Sequence, residues 1–215
     1  MADTPRGEAG SASLVSAFER LRAASRATPS PSYELRKDLL MRLLALVQEN
    51  QHAIEQAISA DYGHRSVHET RLTELMPVEA SIKHALRHLR SWMRPKRIPT
   101  SLIYWPGTNR LLRQPLGVAG IVAPWNYPLQ LTLGPTVGAL AAGNRVMLKP
   151  SEFVPQFSSL LQHLISERFT DEEIVVVTGG ADVSRALCAL PFDHLLFTGS
   201  TAVGKMVAEA DCGIV

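Results

Sequence analysis

Four short stretches of this chain carry residues suited to polar chemistry, and each follows or closes an apolar run. They are Pro124-Trp125-Asn126-Tyr127-Pro128, Lys149-Pro150-Ser151-Glu152, Gly179-Gly180 and Gly199-Ser200-Thr201-Ala202-Val203-Gly204. The Asn126 amide, on a stiff turn between two prolines, could stabilise a developing oxyanion. Lys149 and Glu152 could bracket a ribose diol, the ammonium donating and the carboxylate accepting. Glycines at 179, 180 and 199 would let a phosphate or ribose approach the backbone closely. A helix opening near Ser200 would offer N–H groups and a positive dipole end to a pyrophosphate. Each piece also has an ordinary reading. Asn126 could be a turn residue, Lys149 and Glu152 a surface pair, and the glycines punctuation at helix entries.

Other motifs fail on chemistry. Gly199 to Lys205 resembles a phosphate-binding loop, but Met206 stands where that loop needs a Ser or Thr hydroxyl for magnesium. The dinucleotide fingerprint G-x-G-x-x-G is absent, so a dinucleotide would have to bind in another manner. His84 and His88 are four apart, as a metal pair on one helix face would be, yet no third ligand sits at useful spacing; no metal site is expected. Residues 1–99 hold fifteen basic and eleven acidic side chains, without the interleaved aromatics of a stacking surface. No nucleic-acid role is expected.

The elements that must position these stretches follow from periodicity. Apolar runs at Gly117–Ala123, Arg145–Lys149, Ile174–Thr178 and His194–Thr198 alternate with helical segments near Leu129–Ala142, Val154–Phe169, Ala181–Ala189 and Ala202–Ala210. Buried strands alternating with helices predict an α/β fold with a Rossmann-like parallel sheet. Such a sheet binds ligands beyond the carboxyl ends of its strands, where all four stretches lie. Gly143-Asn144 reads as a helix stop.

Before this unit the pattern is helical. Leu14, Phe18 and Leu21 form one stripe, ended by Thr28-Pro29-Ser30-Pro31; Leu35, Leu39, Leu43, Leu46 and Val47 form a second. Asn50 is a candidate N-cap for a third helix ended by Gly63, and Pro77 is expected to kink or divide a fourth. Two extended runs, Ser101–Trp105 and Leu111–Gln114, flank Pro106-Gly107-Thr108-Asn109 and predict a hairpin exposing Tyr104 and Trp105. The expected organisation is a helical arm over 1–99, a hairpin over 100–116 and a partial cofactor domain over 117–215.

Composition excludes several classes. With 46% hydrophobic and 20% charged residues, the chain can bury a core and is neither disordered nor low-complexity. A net charge of +2 predicts no dedicated nucleic-acid or membrane surface, and no run reaches the ~18 apolar residues of a membrane helix. Two cysteines, Cys188 and Cys212, cannot build a disulfide framework. With a polar N-terminus that lacks a secretory pattern, they suggest a reducing, cytoplasmic setting.

Five ordered motifs resemble the aldehyde dehydrogenase superfamily: Pro115-Leu-Gly-Val, Ala123-Pro-Trp-Asn-Tyr-Pro128, Gly138-Ala-Leu-Ala-Ala-Gly-Asn144, Leu148-Lys-Pro-Ser-Glu152 and Phe197-Thr-Gly-Ser-Thr-Ala-Val-Gly204. The short arm and the Lys-Pro-Ser-Glu form look most like its coniferyl-aldehyde and class 3 branch. In that family a cysteine attacks an aldehyde, hydride passes to NAD or NADP, and a glutamate assists hydrolysis of the resulting thioester. The resemblance implies that Asn126 is the oxyanion-hole amide and that Pro124 and Trp125 line the cofactor crevice. It also implies that Lys149 and Glu152 contact the adenosine ribose, favouring NAD with NADP possible, and that Gly199 and Ser200 lie at the pyrophosphate. Ser151, Gly179, Gly180, Phe197 and Val203 join the same cofactor set. A coniferyl-type, aromatic or fatty aldehyde is the implied substrate, in a full-length homodimer joined through the hairpin.

The family's Glu-Leu-Gly-Gly and Gly-Gln-x-Cys segments do not occur in these 215 residues. Cys188 lies in an apolar helical pattern and Cys212 follows Asp211 outside any such motif. The expectation is therefore an N-terminal half without its catalytic domain and without turnover of its own. The alternative is a catalytically inactive nucleotide-binding or subunit-interaction module.

Overall fold

Side-chain alternation along four buried strands sets the layers of this protein. The computed structural model describes residues 6–209. Strands β3 (Val118–Val122), β4 (Arg145–Lys149), β5 (Ile174–Val176) and β6 (His194–Phe197) form one parallel sheet in the order β5-β4-β3-β6. Ile121, Val146, Leu148, Ile174 and Val176 join one apolar cluster, while Val118, Val122, Met147 and Leu195 join another. Successive residues of a strand point to opposite faces, so two layers must cover this sheet.

Helices α6 (Pro128–Ala142) and α7 (Pro155–Arg168) cover the first face, and α8 (Ala181–Cys188) contributes to the second. Helix α9 (Thr201–Glu209) follows β6. The strand and helix expectations hold throughout this unit to within a few residues; Ala210, Cys212 and the rest of the C-terminal stretch lie outside the described residues.

The helical arm is divided between the two faces. Helix α1 (Arg6–Ala27) packs Leu14, Phe18 and Leu21 with α8 and Phe192 on the second face. Helices α2 (Tyr33–Glu49), α3 (Gln51–Tyr62) and α5 (Met76–Trp92) pack outside α6 and α7, burying Leu39, Leu43, Ile54, Ile82 and Leu89. Between α3 and α5 the chain forms α4 (Val67–Thr70) and a π turn, Arg71–Leu75. Leu75 and Met76 keep helical dihedrals, so Pro77 lies within a continuous helical run, two residues after a π turn that interrupts the α-helical pattern. Asn50 corrects an expectation. Its side chain donates to the Leu46 carbonyl 2.9 Å away, serving the end of α2, and makes no cap bond to α3.

The hairpin also departs from its expected register. Its strands are β1 (Lys96–Ile98) and β2 (Asn109–Leu111), paired antiparallel, so it begins before residue 100. Ser101–Trp105 is not a strand. The N–H groups of Tyr104, Trp105 and Gly107 donate back to Ser101, Leu102 and Tyr104, closing a 3-10 turn over Leu102–Tyr104 and leaving none of these three for cross-strand pairing. Tyr104 and Trp105 are exposed, as expected. No helix among the described residues is long and apolar enough to cross a membrane.

Charged side chains of the arm close the ends of the sheet-covering helices. Arg36 of α2 donates to the carbonyls of Ala141 and Ala142 at the end of α6, at 3.2 and 2.7 Å. Gly143, at φ 93°, is required beside it, because a Cβ there would fall 2.7 Å from the guanidinium carbon. Arg42 donates to the Arg168 carbonyl at the end of α7 and grips Glu173 through two bonds of 2.9 and 2.7 Å. Asp61 of α3 accepts the Gln156 and Phe157 N–H groups at the start of α7, both at 2.9 Å. Cations at helix C-termini and a carboxylate at an N-terminus satisfy orphaned backbone groups and the helix dipole together.

Burial pushes the Glu173 carboxyl up, but hydrogen bonds from Arg42 and the Thr170 N–H outweigh it and hold the group below its ordinary value of 4.5. Its stabilisation is thus present above that value and lost as pH falls through the lowered one. In urea unfolding between pH 3 and 6 (about those limits), Glu173→Gln is expected to flatten the acid limb of stability. An unchanged slope would show that Glu173 does not carry it.

Candidate functional site

All four strands run parallel, so their carboxyl ends, and the four polar stretches, meet along one edge. Beyond β4 and β5 the edge holds a cavity of about 320 Å3 lined by Ser151, Glu152, Ser158, Gln162 and Gly179 among others. Lys149 closes β4 with its side chain buried; its ammonium donates to the Pro150 carbonyl at 2.9 Å and lies 3.7 Å from Glu152 Oε2. Burial pushes the Lys149 pKa down, and Glu152 opposes that shift. The surface-pair reading therefore fails for Lys149, although Glu152 remains partly exposed.

Ser151 is buried, and its hydroxyl accepts the Phe153 N–H while its carbonyl accepts the Ser158 hydroxyl. Gly179 has φ 145°, and a Cβ there would meet Val183 at 2.6 Å, so only glycine fits; Gly180 follows as the residue before α8. At the end of β6, a Cβ on Gly199 would strike the Phe197 ring at 2.5 Å, and Gly204 lies against the same ring. The Ser200 hydroxyl accepts the Val203 N–H at 3.4 Å, capping α9. This edge fits an adenosine diphosphate moiety in kind through a recessed cavity and a cation–carboxylate pair, while the space over Gly179 and Gly199 is filled by Val183 and Phe197.

The turn after β3 is built differently. Trp125 is 52% exposed, and Asn126 is exposed, its amide making no hydrogen bond among the described residues. The backbone beneath them is clamped from the arm. Tyr62 donates its hydroxyl to the Trp125 carbonyl, and Arg65 donates to the Asn126 carbonyl at 2.9 Å. Arg65 is 4% exposed and lies between the rings of Tyr62 and Tyr127, with its guanidinium carbon 4.9 and 4.8 Å from their centroids. It also meets the Glu74 carboxylate at 3.1 Å.

Glu74, fully buried in the π turn, accepts the Leu129 and Gln130 N–H groups at 2.7 and 3.3 Å and so caps α6. These residues set the Asn126 turn, yet nothing in the local sequence singles them out. Their partners lie 55 to 63 residues away.

Burial raises the Glu74 pKa, while the Leu129 N–H and then Arg65 hold it down. Because the folded value stays above the ordinary 4.5, the contribution of Glu74 is full below that value and declines as pH rises through the raised one. Removing Arg65 would leave a buried charge uncompensated. Arg65→Met is expected to cost about 3–5 kcal/mol near neutral pH. Urea unfolding should show a smaller loss at acid pH, where Glu74 is protonated, than near neutral pH. A pH-independent loss would show that ring packing, not charge, is what Arg65 supplies.

Comparison with known proteins accords with this architecture. The model of the aldehyde dehydrogenase family matches residues 4–214. A coniferyl aldehyde dehydrogenase from a Pseudomonas species is 43% identical over 202 residues, covering 94% of this chain and 41% of that protein. Human aldehyde dehydrogenase family 3 member B1 is 38% identical over 197 residues, covering 92% and 42%. A substrate-bound structure of Staphylococcus aureus AldH superposes with a TM-score of 0.89 at 33% identity, covering 92% of this chain and 43% of that one. The chain thus spans about two-fifths of the length of these relatives. On this combined evidence, the chain belongs to the aldehyde dehydrogenase family.

Proposed function

We propose that this chain supplies the cofactor-binding side of an NAD(P)-dependent oxidation of an aldehyde, coniferyl-type, aromatic or fatty, to its carboxylic acid. One observation supports the reading above the others. The Lys149–Glu152 pair stands beside a recessed cavity on the same edge as the Asn126 turn and the Gly199 loop. NAD(P)+, when bound, takes up a hydride. Lys149 and Glu152 would hold the adenosine ribose, with Ser151, Gly179 and Gly180 closing the cavity around it. Gly199 and Ser200, with Phe197 and Val203 beside them, would receive the pyrophosphate. Pro124 and Trp125 would wall the crevice.

Asn126 would point its exposed amide N–H at the aldehyde oxygen as negative charge develops there, a contribution of about 3–4 kcal/mol in comparable oxyanion sites. Its value depends on preorganisation, which the Tyr62 and Arg65 bonds to the turn provide. The nucleophilic cysteine and the glutamate base belong, in this reading, to sequence outside these 215 residues. Cys188 is buried in the α1–α8 core, and Cys212 lies outside the described residues. A reducing cytoplasmic setting and a homodimer formed through the hairpin complete the reading.

Calorimetric titration with NAD+ tests it. The purified protein is expected to bind NAD+, and Lys149→Ala to weaken that binding by about tenfold or more, the scale of one lost charge-assisted hydrogen bond. Unchanged affinity in Lys149→Ala would overturn its assigned role. No aldehyde-dependent NADH formation is expected from these 215 residues alone. Measurable turnover would place the nucleophile within them and refute that part of the proposal.

A further inference from the structure

We propose that the groove between α5 and α6, toward the C-terminal end of α6, binds small carboxylates that carry an apolar tail. This groove shares no lining residue with the cavity beside Lys149 and Glu152, so it stands apart from the cofactor reading. At its head is a buried cation without a counter-ion. Arg36 is 4% exposed, and its Nε and Nη1 donate to the Pro31, Ala141 and Ala142 carbonyls. Arg113 donates to the Trp92 carbonyl at the end of α5, 3.3 Å away. Neither arginine forms an ion pair among the described residues. A helix C-terminus offsets only about half a charge, so each guanidinium keeps a positive field. Burial lowers the Arg36 pKa, and no carboxylate opposes that shift. Its Nη2 group makes no hydrogen bond among the described residues, yet it is not sealed from solvent. Buried charges are ordinarily paired, and this one has room for a partner.

Two cavities meet beside it. One, of about 340 Å3, is lined by Arg36, Arg113, Gln114, Trp92 and Gly138 among others. The second, of about 560 Å3, shares Trp92, Gly138 and Ala141 with the first and continues between Ala80 of α5 and Val137 of α6. Neither has a carboxylate in its lining, and the sequence holds no Asp or Glu between Glu79 and Glu152. The first cavity therefore offers two guanidinium groups to a head that bears negative charge, and the planar fork of arginine matches a carboxylate. The second offers a largely apolar trough to a tail, walled by the half-exposed Trp92, whose ring lies 5.6 Å from that of His84. Its floor is open. A Cβ on Gly138 would meet nothing within 4 Å, and one on Gly134 only Gln130 Nε2 at 3.7 Å. The chain's own packing requires glycine at neither position, although glycine weakens a helix interior.

Calorimetric titration of the purified protein with octanoate and with 1-octanol tests the assignment. Octanoate is expected to bind about tenfold tighter than octanol or better, the scale of a charge-assisted hydrogen bond. Arg113→Gln should weaken octanoate by about tenfold and leave octanol unchanged. Arg36 is left in place because it closes α6. Gly138→Leu should abolish binding of both while melting at or above the wild-type temperature, since its side chain enters open space and favours the helix. Equal affinity for octanoate and octanol would overturn the proposal, as would equal weakening of both by Arg113→Gln. Octanoate binding that survives Gly138→Leu, or that NAD+ displaces, would place the ligand elsewhere and overturn it too. No octanoate binding up to about 5 mM would do the same.

Discussion

The buried contact between Arg65 and Glu74 fixes the turn after β3 and the start of α6. A helix that starts at a sheet edge leaves N–H groups without partners, and α6 starts there under cover of the arm. Glu74 answers them from a π turn, and Arg65 in turn answers Glu74 while holding the carbonyl of Asn126. A carboxylate at zero exposure is costly unless hydrogen bonds and a cation both reach it. Both do here, and the turn between Pro124 and Pro128 inherits the resulting stiffness. Asn126 owes its place to residues that touch no part of its own side chain.

The same logic repeats at the other helix ends. Asp61 closes the start of α7, Arg36 the end of α6, and Arg42 the end of α7, each from the arm. The arm is therefore an integral part of the sheet unit. It supplies apolar cover through Leu39, Leu43, Ile82 and Leu89, and charge where backbone groups would otherwise be stranded. Helix α1 makes the matching contribution on the opposite face, where Phe18 meets Phe192 edge to face at 5.1 Å. The basic and acidic residues of the arm thus divide into two groups. Some remain at the surface, and others end in the backbone of elements far along the chain.

At the carboxyl edge of the sheet, steric and electrostatic needs are separate. Gly179 and Gly199 are glycines because Val183 and the Phe197 ring occupy the space a side chain would take. Lys149 is held by burial and by a local carbonyl, so its charge is placed before any ligand arrives. Glu152 lies 3.7 Å from it and opposes the downward push of burial on its pKa. The exposed hairpin, with Leu102, Ile103, Tyr104 and Trp105 in solvent, stands apart from both.

The strands, the helices and the stretches at the strand ends were legible in the sequence, because periodicity and turn chemistry act between neighbours in the chain. Periodicity marks β4 to the residue, and Gly143 stands where the helix stop is expected. The hairpin register was not legible, since Tyr104, Trp105 and Gly107 spend their N–H groups locally, a choice that extended-run patterning does not encode. Nor was Asn50, whose amide turned back to α2. The pairing of Lys149 with Glu152 could be anticipated from their spacing, but its burial could not. The clamp of Tyr62, Arg65 and Glu74 on the Asn126 turn was invisible. Those contacts join residues more than fifty positions apart, and only the folding of the arm over α6 brings a buried cation, a buried carboxylate and two backbone carbonyls within hydrogen-bonding reach.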